Sequence, residues 1–80
     1  MRYVLALTTK AEVAGFDRQT HNLVDDNGEK GKWMVITEKG MLSNPSLHGT
    51  CEDRLSQLGG VVFDNSEKLA EYLRIFKKNK

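Results

Sequence analysis

The 80-residue sequence predicts an α+β fold: a small, mainly antiparallel sheet of three to four strands with two helices packed on it. Two observations carry that prediction. Asp26-Asn27-Gly28-Glu29 reads as a hairpin turn, because Asn-Gly accepts the positive φ angles of a type I′ turn, and apolar residues stand on either side of it. From Gly60 onward the chain reads as a short buried strand, Val61-Val62-Phe63, that turns into a helix with a one-sided apolar stripe. A hydrophobic fraction of 39% with a single proline argues against disorder. The length suits one domain over residues 1–80.

The elements follow in order. Residues 2–8 are a strand with Tyr3, Leu5 and Leu7 on one face and Val4, Ala6 and Thr8 on the other. Thr9 to Gly15 allows two readings: a helical turn capped by Thr9 and ended by Gly15, or an irregular connection. Gln19–Asp26 pairs with Glu29–Thr37 across the Asn-Gly turn, with Gly31 loosening the register. Glu38 to Ser43 is a connection carrying Met41 and Leu42.

Asn44-Pro45 reads as a helix start, since asparagine caps well and proline at the first helical position loses no hydrogen bond. Leu47, Cys51, Leu55 and Leu58 follow at the spacing of one stripe. Gly49 weakens that helix by about 1 kcal/mol relative to alanine, so the alternative start is Thr50. Gly59-Gly60 ends it. After the last strand Asp64 reads as the N-cap, with Glu67 as its capping-box partner and Asn65 or Ser66 as alternatives. Leu69, Tyr72, Leu73 and Phe76 form the buried stripe, and Arg74, Lys77, Lys78 and Lys80 meet the negative end of the helix dipole.

The expected order is therefore β-β-β-α-β-α. If Thr9–Gly15 is helical, it becomes βαββαβ plus a final helix, the ferredoxin-like order.

Composition narrows the function classes. A net charge of +1 is too small to announce nucleic-acid binding by the whole surface, and not acidic enough to imitate a nucleic-acid backbone. One cysteine makes no internal disulfide, so a reducing, cytoplasmic setting is expected. The apolar run Tyr3–Leu7 is too short for a signal-peptide core, and no stretch is long enough to span a bilayer.

Motifs that carry chemistry are missing. Cys51 and His48 stand three residues apart and would be neighbours on a continuous helix, the arrangement of an activated thiol. The same helix would point Cys51 into the core beside Leu47, Leu55 and Leu58, where a free cysteine behaves as a small hydrophobe. Cys51, His48 and His21 are too few and too scattered for a zinc site. The glycines of Gly28-Glu29-Lys30-Gly31-Lys32 lack the spacing and the Ser or Thr of a phosphate-binding loop. The expectation is a non-enzyme without catalytic residues, metal or cofactor.

A strand with one solvated face alternates apolar and polar residues, yet Trp33-Met34-Val35-Ile36 is apolar on both faces. The expectation is a protein-binding module, a regulator, adaptor or inhibitor of a larger protein, that meets its partner or a second copy through Trp33, Met34, Ile36, Met41 and Leu42. The alternative is a nucleic-acid-binding accessory domain that touches phosphates through Arg74, Lys77, Lys78 and Lys80.

Overall fold

The computed structural model describes residues 1–78, with side chains through Ile75. The described residues form β1 (Tyr3–Leu7), α1 (Thr8–Val13), β2 (Asn22–Asp26), β3 (Glu29–Thr37), α2 (Glu38–Leu42), α3 (Cys51–Leu58), β4 (Val61–Phe63) and α4 (Ser66–Lys78). The strands make one four-stranded sheet in the order β2-β3-β1-β4, antiparallel at every pairing. The α+β class stands, with four helices in place of two.

The hairpin forms where Asn-Gly places it. Asn27 (φ 46°) and Gly28 (φ 84°) both take the left-handed region that a type I′ turn requires. The pairing slips between Val24 and Asp26, and the Gly31 N–H is drawn to the Asp25 carboxylate at 2.7 Å. β2 starts at Asn22, because residues 17–20 are held in their own turn: the Gln19 N–H donates to the Asp17 carboxylate at 2.8 Å.

Three local assignments need correction. Thr9–Gly15 is indeed helical in its first part, but the helix starts at Thr8 directly from β1 and has no side-chain cap, so Thr9 does not cap it. Residues 38–42 are a helix: the Thr37 hydroxyl caps it by accepting the Gly40 N–H at 3.0 Å, a signal hidden by the glycine inside so short a run. Asn44-Pro45 opens only a turn. The Asn44 amide donates to the Ala14 carbonyl and accepts the Ser46 N–H, both at 2.8 Å, which ties the end of α1 to this loop. Gly49 (φ 94°) then takes a conformation no helix continues through.

The helix restarts at Cys51 behind a capping box: the Thr50 hydroxyl accepts the Asp53 N–H, and the Asp53 carboxylate accepts the Thr50 N–H. We expect Thr50→Ala to cost about 1 kcal/mol in urea unfolding. An unchanged midpoint would mean the box contributes nothing to α3. At α4 the cap belongs to Asn65, whose side chain accepts the Lys68 N–H at 2.9 Å. Asp64 instead pairs with the Lys68 ammonium at 3.7 Å.

The sheet separates two clusters. On one face Val4, Ala6, Met34 and Ile36 pack with Ala11, Phe16, Met41, Leu47, Leu55 and Leu58, so α1, α2, α3 and their loops close its centre, while Leu23 and Val62 stay exposed on its two edge strands. On the other, Leu5, Phe63 and Leu69 form the buried centre, and Tyr3, Val24, Trp33, Val35 and Leu73 are only partly covered. That face has α4 alone.

Candidate partner-binding face

The incompletely covered face is built from strand alternation. The register sets Val24 opposite Trp33 and Trp33 opposite Leu7, which makes one apolar row across three strands. The next row sets Val35 opposite Leu5 and Leu5 opposite Val61. Leu69 of α4 packs with Leu5 and Phe63, and the Tyr72 ring lies 5.1 Å from that of Phe63. The helix therefore lies over the β1–β4 half of the sheet. Beside it, toward β2 and β3, a cavity of about 340 Å³ opens between Val24, Val35, Leu69 and Leu73, with Asn22 and Asp25 at its rim. Leu7 (38% exposed) and Val61 (44%) extend the apolar surface at its margins. The Trp33 indole N–H donates to Asp26 at 3.2 Å, which fixes the ring at the hairpin end.

The five residues chosen from sequence separate here. Met34, Ile36 and Met41 are fully enclosed on the three-helix face, so in the folded chain no partner reaches them. Trp33, one residue from Met34, points the other way onto the half-covered face. Leu42 is 45% exposed but stands apart on α2, where with Met1, Glu38, Lys39 and Ser43 it lines an open depression of about 520 Å³. Val24 and Val35 were missed as lining residues of this face, and Leu73, expected to be buried, is only partly so. The available signal was Leu23-Val24, the one apolar pair in an otherwise polar stretch, facing a strand already apolar on both sides.

Of the basic alternative, Arg74 is exposed on α4. The side chains of Lys77 and Lys78, and all of Lys80, lie outside the described residues. Lys32 is engaged with Glu29 at 3.2 Å and Asp26 at 3.6 Å.

Cys51 and His48 are not helical neighbours, because α3 begins at Cys51 and His48 stays in the preceding loop, its N–H on the Gln57 side chain. The thiol belongs to a different group. Arg2 grips Glu38 through two nitrogens, at 2.9 and 3.2 Å, reaches Glu52 at 2.8 Å and donates to the Cys51 sulfur at 2.7 Å. The thiol in turn points at Glu38, 3.4 Å away. This clamp fastens the start of β1 to the beginnings of α2 and α3.

Its electrostatics favour the protonated thiol. Burial and then the Glu38 carboxylate push the Cys51 thiol above its ordinary range, against the weaker pull of Arg2. Folded protein should therefore label slowly with a thiol reagent near neutral pH and quickly once denaturant is added. Fast labelling of the native chain would show a thiolate the geometry does not provide.

The Arg2 side chain and its N–H hold the Glu38 carboxyl below its usual range, and the Thr50 N–H and hydroxyl do the same for Asp53. Groups lowered on folding contribute stability above their unfolded range, which is lost as pH falls through and below about 4. Urea midpoints between pH 7 and pH 3 should fall accordingly, and less in the Thr50→Ala variant. An equal fall in both would remove the Thr50 hydroxyl from the acid response, leaving the backbone N–H that Thr50→Ala retains.

Among the described residues no three His, Cys, Asp or Glu side chains gather to hold a metal ion, and no helix is long and apolar enough to cross a membrane. Comparison with family models, curated proteins and solved structures finds no match to this chain.

Proposed function

We propose that the chain is a non-enzymatic protein-binding module that works in the cytoplasm as a regulator, adaptor or inhibitor of a larger protein. One observation carries the reading: three helices bury the sheet's centre at Met34 and Ile36 on one side, whereas the single helix on the other leaves Trp33 and Val35 of the same strand only partly covered, with Leu7, Val24 and Val61 around them. Patches of this kind on small domains mark interaction sites, and aromatic residues such as Trp33 supply much of the binding energy where they become buried.

The test uses Leu7→Glu and Val61→Lys, whose wild-type side chains already touch water, so that folding is preserved. The wild-type chain should retain a partner from host extract that rebinds when both proteins are purified, and each variant should lose it at unchanged thermal stability. A strictly monomeric chain that retains nothing, or variants that retain the same partner equally, would remove the proposal.

A further inference from the structure

The tip of the β2–β3 hairpin sets the two groups of a spontaneous side-chain reaction next to each other. Asn27 and Gly28 are both exposed. Among the described residues neither the Asn27 side-chain amide nor the Gly28 N–H is engaged in a hydrogen bond. A β-carbon built on Gly28 meets nothing within 4 Å, so the space around it is open. The amide is untied, and no side chain shields the backbone nitrogen that follows it.

We propose that Asn27-Gly28 is a site of self-modification, at which the asparagine loses its amide and the turn becomes an aspartyl or isoaspartyl linkage. The Gly28 nitrogen, its proton taken by solvent base, forms a bond to the Asn27 side-chain carbonyl carbon. The bond from that carbon to Nδ2 breaks, and the nitrogen leaves as ammonia. Water then opens the cyclic imide. Breaking the new bond leaves aspartate in an unaltered chain. Breaking the original peptide bond leaves isoaspartate, with the chain running through the β-carbon. The balance is one water consumed and one ammonia released.

Asn27 stands apart from the other asparagines of the chain. Asn44 precedes Pro45, which has no N–H to attack with, and its amide is tied to the Ala14 carbonyl at 2.8 Å. Asn65 caps α4, with its side-chain oxygen on the Lys68 N–H at 2.9 Å. Asn22 lies in β2 opposite Val35, and the branched side chain of Leu23 follows it. Asn79 lies outside the described residues.

The product bears on the fold because this turn sets the strand register. An isoaspartyl linkage adds a backbone atom to a turn whose φ angles are 46° at Asn27 and 84° at Gly28. Asp26 and Glu29 pair directly across it. The Asp26 carboxylate holds the Trp33 indole at 3.2 Å and the Lys32 ammonium at 3.6 Å. Conversion therefore loosens Trp33 at the hairpin end of the half-covered face, and it does so whether or not a partner binds there.

The test ages the folded chain in warm, mildly alkaline buffer and follows it by trypsin digestion and mass spectrometry, with fragmentation that separates aspartate from isoaspartate. Cleavage after Arg18 and Lys30 yields one peptide that holds both Asn22 and Asn27, an internal comparison. A synthetic peptide of residues 19–30 gives the rate without the fold. Asn27→Gly keeps a turn of the same type and removes the reacting amide. Asn27 should carry nearly all of the converted product. Emission from Trp33, the single tryptophan, should drift with the converted fraction in the wild type and stay constant in Asn27→Gly. An Asn27 still intact when the free peptide is fully converted would overturn the proposal, because the folded turn would then protect the bond. Conversion at Asn22 equal to that at Asn27, or Trp33 emission that stays constant as Asn27 converts, would overturn it as well.

Discussion

Replacing Met34 by alanine should remove about 2–5 kcal/mol of stability, the range for truncating a fully buried methionine or leucine. A domain of this size has about 4–12 kcal/mol in all, so the variant should stand near its unfolding threshold. Met34 has no exposed surface and sits opposite Ala6 in the register, among side chains that α1, α2 and α3 enclose on every side. The cavity left behind cannot refill, because the neighbouring strand positions are locked by hydrogen bonding to β1 and β2. Leu42→Ala provides the contrast. Its side chain is partly in water, and the loss should stay within about 0.5 kcal/mol. Urea unfolding of the pair decides between core and surface for two residues that sequence pattern treats alike. A Met34→Ala chain as stable as wild type would mean that the three helices do not close around Met34 as described.

Gly60→Ala should cost about 3 kcal/mol, at the upper end for inserting atoms into a filled space. A β-carbon at this position would stand 2.5 Å from the Leu5 carbonyl oxygen, 2.7 Å from a Val4 methyl and 2.9 Å from the Leu5 carbonyl carbon. Two of those three neighbours are backbone atoms of β1, which is paired on both sides, to β3 and to β4. The strand cannot yield without breaking a ladder. Gly28→Ala is the control for conformation alone. Nothing lies within 4 Å of its added carbon, and only the positive φ is paid for, about 1–2 kcal/mol. Thermal melts rank the two. If Gly60→Ala proved the milder change, β4 would not enter the sheet as close to β1 as the pairing requires. Loss of the Val61 and Leu5 amide protection in the variant would locate the damage at that seam.

Much of the architecture was legible residue by residue. The Asn-Gly pair sets the hairpin through its backbone preferences, and β3 keeps its expected bounds of Glu29–Thr37. A strand at Val61-Val62-Phe63 and a helix with Leu69 inward appear where expected, but only Phe63 of that strand is buried, Tyr72 of the stripe is exposed, and the Phe76 side chain lies outside the described residues. The helices that sequence pattern missed or misplaced are short ones. α1 and α2 have six and five residues, too few for periodicity to register, and neither announces itself with a strong cap and box. Asn44-Pro45 carries a true local signal, but a distant carbonyl at Ala14 claims the asparagine side chain.

Alternation states that Met34 and Ile36 share one face and Trp33 and Val35 the other, and a side chain's neighbours along the strand say this much unaided. Which of the two faces is left half open is a sum over the whole chain. It depends on three connecting helices choosing the Met34 side and only α4 the Trp33 side, and strand crossovers set that choice. A single strand carries no record of it, because both of its faces are equally apolar until the rest of the chain arrives.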